Sequence, residues 1–215
     1  MTYIEMVNNV LRRLRERTVT NVNDNEYSSL IGVLVNDAKK EVEDSWDWSA
    51  LRTTLTATTS DGVYSYELNG SQNNIKVLDV LNDTDDIFMR YVDSHWMNKM
   101  FLAVTPETGS PYYYNFNGVS SDGDTQVDIY PIPDGAYTLR FNAIQRTPAL
   151  SANSDQVLIP TQPILMLAYA KAIEERGEDG GVGASSAYAT ANRSLNDAIS
   201  FDAARHPEEL IWQEV

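Results

Sequence analysis

Carboxylates are the most abundant candidates for chemistry in this chain, whose 215 residues include 31 acids, no cysteine and only two histidines. Cysteine's absence excludes disulfides, thiolate zinc sites, iron-sulfur clusters and cysteine nucleophiles together. His95 and His206 stand far apart, and neither has a second histidine at metal-ligand spacing, so no zinc or facial-triad site is expected. Asp83, Asp85 and Asp86 form one acidic cluster, and Asp122, Asp124 and Asp128 another. Either set holds the residue types of a glycosidase acid and base, or of oxygen ligands for calcium. The second set lacks the glutamate that closes an EF-hand loop, and the first falls in a turn between two strand-like runs. In a chain with 31 acids, turn geometry and solvation are the expected roles of both. No phosphate-binding, dinucleotide-binding, zinc-protease or serine-hydrolase motif occurs. The glycines from Gly177 to Gly183 follow a helical pattern, not a strand, and read as a connection between helices. The expectation is therefore no catalytic residue, no metal and no cofactor.

Sixteen basic residues against 31 acidic ones leave a net charge of −15, a balance that repels nucleic acid phosphate. The one basic cluster, Arg12, Arg13, Arg15 and Arg17, lies at the end of a helical pattern. It could contact phosphate, but there it also complements the helix dipole, and a structural or intersubunit role, pairing with acidic neighbours, is the expectation taken. Trp46 and Trp48 are expected to anchor the core and its boundary. At the C-terminus, Leu210, Ile211 and Trp212 follow the helix breaker Pro207 and lie among Glu208, Glu209 and Glu214. A short tail cannot bury a tryptophan by itself, so these three are expected either to fold back or to bind a partner's groove, the latter being the reading taken here. Two other function classes fit the composition: a glycan hydrolase using paired carboxylates, or a carbohydrate-binding module exposing Tyr112, Tyr113 and Tyr114. No apolar run reaches the roughly 18 residues that span a bilayer, and the N-terminus lacks signal-peptide character. A soluble protein made in the cytosol, without membrane contact, is expected.

The elements that must position these residues follow from hydrophobic period. Thr2 and Glu5 have capping-box spacing, and Ile4, Val7, Val10, Leu11 and Leu14 continue at helical intervals. A second capping box is expected at Asn23 and Glu26, opening a long helix with Tyr27, Leu30, Ile31, Leu34, Val35, Ala38 and Val42 on one stripe toward Trp46. Beyond Trp48 the period becomes that of strands. Thr53 to Thr59 and Val63 to Leu68 flank Asp61-Gly62 as an expected hairpin. Ile75 to Leu81 and Ile87 to Val92 form an expected second pair, and Asp93 or Ser94 caps a short helix carrying Trp96, Met97, Met100 and Phe101. Tyr112 to Phe116, Thr125 to Tyr130 and Ala136 to Ile144 are strands separated by Asn117-Gly118, Asp122-Gly123 and Pro133-Asp134-Gly135 turns. Helical period returns at Pro163, runs to Arg176, and resumes from about Ala184 to Ala204 with Tyr188, Ala191, Leu195, Ala198 and Ile199 on one face. The expected fold is α+β: residues 1–47 and 163–204 make one antiparallel helical bundle, residues 48–160 form an inserted, mostly antiparallel β module, and residues 205–215 form an extended tail.

In its order of features the chain resembles the head-tail adaptor proteins of tailed bacteriophages, the group that includes tail tubular protein A of short-tailed phages. The resemblance rests on the helical pair ending in Trp46-Asp-Trp48-Ser-Ala-Leu51, the Thr-rich Thr53 to Leu68 segment, and Val127-Asp-Ile-Tyr-Pro-Ile-Pro-Asp-Gly-Ala-Tyr137-Thr-Leu-Arg-Phe141. Leu150-Ser-Ala-Asn-Ser-Asp155, Ile159-Pro160 and two Ala-rich helices follow. It implies a non-enzymatic virion protein, made in the host cytoplasm and located in the neck. It further implies a homo-oligomer, a dodecameric ring that joins the portal protein to a tail or nozzle protein, with DNA passing through its channel without sequence-specific binding.

Overall fold

The computed structural model of the protein describes residues 1–71, 75–177 and 182–205. These residues form five α-helices and eight strands, a mixed α+β fold whose strands pair almost entirely antiparallel. The chain divides into two compact units: Met1–Ala50 together with the chain from Pro148 onward, and Leu51–Thr147.

The first unit is helical. Helix α1, Tyr3–Arg13, starts at the anticipated capping box, in which the Thr2 hydroxyl accepts from the Glu5 amide and the Glu5 carboxylate accepts from the Thr2 amide at 2.8 Å. Helix α2, Glu26–Asp44, is about 28 Å long. Its box lies two residues later than expected: the Asn25 side chain accepts from the Ser28 amide, and the Ser28 hydroxyl accepts from the Asn25 amide. Asn23 instead accepts a hydrogen bond from the Ser29 hydroxyl. Ile31, Val35, Ala38 and Val42 are buried as the stripe predicts. Lys39 and Glu43 are buried on the same helix as an ion pair 3.1 Å apart, and the Lys39 ammonium also donates to the Pro148 carbonyl.

Helix α4, Thr161–Arg176, begins two residues before Pro163 and packs against α1, α2 and helix α5, Val182–Arg205. Because it has helices on more than one side, α4 buries Leu165, Ala170 and Ala172 as well as Ile164 and Ala168, and a single apolar stripe does not describe it. On α5, Ala184, Ala191 and Asp202 are buried and Tyr188, Leu195, Ala198 and Ile199 half-buried, one face as anticipated.

The stretch after Pro148 belongs to this unit and not to the β-rich one. The amides of Tyr3 and Ile4 donate to the carbonyls of Asp155 and Asn153, the Val22 amide donates to the Asn153 side chain, and Asn36 bonds Leu150 through both ends of its amide. Contacts therefore divide the chain at 147/148, not at 160.

The second unit is two four-stranded sheets that enclose one core of Leu68, Val80, Met89, Tyr114, Val127, Ile129, Leu139 and Phe141. One sheet has the order β1-β8-β3-β4, from strands Arg52–Thr58, Thr138–Gln145, Ile75–Asn82 and Ile87–Phe88. The other has the order β2-β7-β6-β5, from Ser65–Leu68, Thr125–Tyr130, Tyr113–Val119 and Arg90–Tyr91. The anticipated hairpin of Thr53 to Thr59 with Val63 to Leu68 is not formed. The turn exists, with the Val63 amide donating to the Ser60 carbonyl, but β1 pairs with β8 and β2 with β7, each in a different sheet. A turn reverses the chain without choosing its partner, and here each strand gains more by joining the longer strand of its own sheet.

The Ile75 to Leu81 pairing with Ile87 holds only for two residue pairs, after which the chain crosses to the second sheet and β5 pairs parallel with β6. Asn117-Gly118 is not a turn either. It lies inside β6 as a bulge opposite Gln126 and Val127, where Gly118 takes a φ of +135° that a side chain would resist. Helix α3, Ser94–Phe101, is capped by Asp93, whose carboxylate accepts from the Trp96 amide at 2.8 Å.

Candidate interaction surfaces

The acidic clusters are occupied by the turns they sit in. Asp83 accepts from the Arg140 guanidinium at 2.6 and 3.0 Å, Asp85 accepts from the Ser110 hydroxyl, and Asp124 accepts from the Gly70 amide. Asp86 adopts a left-handed turn conformation and Asp122 is exposed. Asp128 is separated from both, buried on β7 opposite Ser65 and Asn115. Burial pushes its carboxyl above the usual aspartate range, against hydrogen bonds from Ser65 and Asn117. One oxygen of Asp128 and the side-chain oxygen of Asn115 lack partners, while the Asn115 amide nitrogen lies 3.0 Å from the Ser94 hydroxyl. Turning that amide over lets its oxygen accept from Ser94 and makes its nitrogen available as a donor beside its cross-strand neighbour Asp128. Among the described residues no three acids or histidines converge as a metal site.

The three tyrosines do not make a stacking platform. Tyr114 is buried in the core between the sheets, whereas Tyr113 faces Trp96 with ring centroids 4.7 Å apart. Trp96 and Phe101 also pack on Tyr130, and Phe101 on Tyr64, so α3 and these rings cover the outer face of the second sheet. His95 is exposed on α3, and His206 lies outside the described residues.

The arginine cluster is split by the fold. Arg13 turns onto its own unit, donating to Asn9 at 3.0 Å, reaching Met166, and standing 6.0 Å from the Tyr169 ring centre on α4. Arg12, Arg15 and Arg17 are exposed and make no ion pair with any described residue. Arg15, with φ of 61°, turns the chain at the end of α1. Beside them a cavity of about 320 Å³ is lined by Leu11, Glu16, Arg17, Asn25, Tyr27 and Arg176. Its floor is organised by Arg176 on α4, which donates to the Tyr27 hydroxyl at 2.7 Å and to Glu16 at 2.5 Å, with the guanidinium 5.0 Å from the Tyr27 ring centre. Sequence spacing could not show this, since Arg176 is 160 residues from Glu16.

The two tryptophans behave as anticipated. Trp48 is fully buried and donates to the Val42 carbonyl at 2.7 Å. Trp46 is 37% exposed, at the boundary, and donates to Asp202. Leu210, Ile211 and Trp212 lie outside the described residues. A surface the sequence did not announce is the Ile87–Tyr91 stretch shared by the two sheets, where only Met89 is buried. Its one available signal is an apolar run without polar alternation.

Asp83 and Asp85 of the 83–86 turn bond within the fold, and the exposed groups include Arg12, Arg15 and Arg17 and the apolar Ile87–Tyr91 edge, surfaces suited to contact with other proteins. Residues 1–209 match the family model described as SU10 adaptor protein, and the chain belongs to that family. It is a bacteriophage structural adaptor of the head-tail type, and it interacts with other virion proteins at the neck. No curated protein matches the chain. No helix among the described residues is long and apolar enough to cross a membrane.

Proposed function

We propose that the protein forms a closed ring between the portal and the tail, in the manner of tail tubular protein A, and that DNA passes through the ring without being read. The observation that carries the proposal is the adaptor-family match over nearly the whole chain. In this reading the protein carries out no catalysis, and the ring is a dodecamer. The helical ends, residues 1–47 and 163–204, act as one antiparallel bundle set side by side around the ring. The β-rich unit, Leu51–Thr147, offers surface to neighbours and to a tail or nozzle protein.

The charge of −15 per copy supports a channel role. A dodecamer carries about −180, and any share of it along the lumen repels the DNA backbone and prevents adhesion. Arg12, Arg15 and Arg17 then serve as the basic side of an intersubunit contact, for which every copy offers abundant acidic surface. Leu210, Ile211 and Trp212 dock on the portal. Each such contact is weak, but repetition around a ring gives many contacts at high effective concentration.

The test is mass measurement and electron microscopy of the full chain with and without its portal protein. A ring that co-purifies with portal, and that loses portal on deletion of residues 207–215 or on Trp212→Ala, is expected. The proposal fails if no ring forms under either condition. It also fails if the protein cleaves cell-wall glycan and a single Asp→Asn change in the 83–86 or 122–128 turns abolishes the cleavage without altering assembly.

A further inference from the structure

The β1-β8-β3-β4 sheet has two open edges of unlike character. One is β1, Arg52–Thr58, paired with β8 along all seven of its residues and bonded by no other strand among the described residues. It contains no proline or glycine, and its single charge, Arg52, lies at its first residue, so nothing along it discourages a further strand. The opposite edge is the stretch from Ile87 to Tyr91, which starts in this sheet as β4 and ends in the other as β5. Ile87, Phe88 and Tyr91 are 40, 68 and 59% exposed there, a density of apolar surface that natural edges avoid unless it is covered. The amides of Arg90 and Val92 donate inward to the carbonyls of Tyr112 and Tyr114. By the alternation of a strand, the Tyr91 amide between them points outward. A groove of about 340 Å³ lined by Ile87, Phe88, Arg90, Tyr112 and Tyr113 runs beside it.

The two edges are complementary. Each of the three pairings in this sheet is antiparallel, so β1 and β4 run in opposite directions. A second copy placed head to tail, in the same orientation, therefore brings its β1 antiparallel to Ile87–Tyr91, and the up-down alternation continues without a break. For a copy displaced straight across the strands the register is kept as well. Thr56 pairs with Arg140, Arg140 with Leu81 and Leu81 with Phe88, which puts Thr56 and Phe88 at the two ends of a single row on the sheet's outer face.

We infer that β1 of one copy adds to the Ile87–Tyr91 edge of the next, so that the sheet continues from subunit to subunit. This rests on the self-assembly part of the adaptor reading and specifies its surface. Such an interface is heterologous, with different patches on the two sides. A contact of that kind closes into a ring when its rotation is a whole fraction of a turn, whereas a two-fold contact stops at a dimer.

The chain has no cysteine, so disulfide trapping starts from a clean background. Thr56→Cys and Phe88→Cys, both at exposed positions, are made singly and together in the full chain. They are oxidised alone and in complex with portal, and resolved without reductant. The double variant should give a ladder of dimer, trimer and higher species. The two single variants mixed should give a dimer, and each by itself none. Phe88→Glu with Tyr91→Glu should weaken self-association by about tenfold or more while leaving the circular dichroism spectrum unchanged.

A Thr56→Cys protein that cross-links to itself as readily as to Phe88→Cys would replace the inference with two-fold β1 pairing. A ring that forms with no ladder, and that survives the glutamate pair, would overturn the inference and leave the adaptor reading standing. If the full chain makes no oligomer with or without portal, the adaptor reading fails and this inference with it.

Discussion

Asp202, on the last turns of α5, is the side chain whose loss should reveal how the end of that helix is held. It is buried, and its carboxylate accepts from the Ser49 hydroxyl at 2.6 Å, the Ser49 amide at 3.0 Å and the Trp46 indole at 3.1 Å. A hydrogen bond to a charged group contributes a net of about 1.5 to 3 kcal/mol to stability. The three share one carboxylate and do not add. Replacing Asp202 by alanine also removes the cost of burying its charge, and half-buried Ser49 and the exposed edge of Trp46 can turn to water. A net loss of about 2 kcal/mol remains, or roughly 4 to 8 °C in Tm for a chain of this size.

The pH dependence supplies a second reading of the same clamp. Burial alone would raise the Asp202 carboxyl, but the bonds from Ser49 and Trp46 outweigh it and hold the carboxyl below the usual aspartate range. A depressed folded-state pKa gives stability that is complete above the unfolded pKa, about 3.9, and is lost as pH falls through the lower folded value. The Tm gap between wild type and Asp202→Ala should therefore be full at pH 7 and narrow below about pH 4. Melting curves by circular dichroism over that range test it. Equal Tm values at pH 7, or a gap that does not change in acid, would show that the carboxylate is not the anchor.

Gly32 of α2 lies where a Cβ would stand 2.5 Å from the Tyr3 hydroxyl oxygen and 2.7 Å from a Val22 methyl. Overpacking costs about 1 to 3 kcal/mol and alanine's better helix propensity returns about 1, so Gly32→Ala should lower stability by about 1 kcal/mol in urea unfolding. Reversing Arg12, Arg15 and Arg17 together to glutamate should leave Tm within a few degrees, because none is ion-paired with any described residue, yet should abolish self-association measured by light scattering. Asp83→Ala should cost only about 0.5 to 1 kcal/mol, since the Arg140 pair is part-exposed, and Asp122→Asn should change neither stability nor assembly.

Local rules were enough for the helices. Thr2 and Glu5, Asp93 and the Tyr188 to Ile199 face could be read directly, because a cap or a helical stripe depends on residues three or four apart. The arginine cluster was likewise visible as a cluster, and the acidic runs as turns. Pairing was another matter. The segments Thr53 to Thr59 and Val63 to Leu68 carry the signals of a hairpin, but whether two strands bond each other depends on what else competes for each edge, and their partners on β8 and β7 lie 57 or more residues further on. The same limit hid the two-sided burial of α4, the attachment of residues 148–160 to the helices, and the turning of Arg13 onto Tyr169 while its three neighbours stay in solvent. Sequence period records how one segment divides water from core. The partner that covers each segment, and the edge left with none, are decided only when distant parts of the chain compete for the same surface.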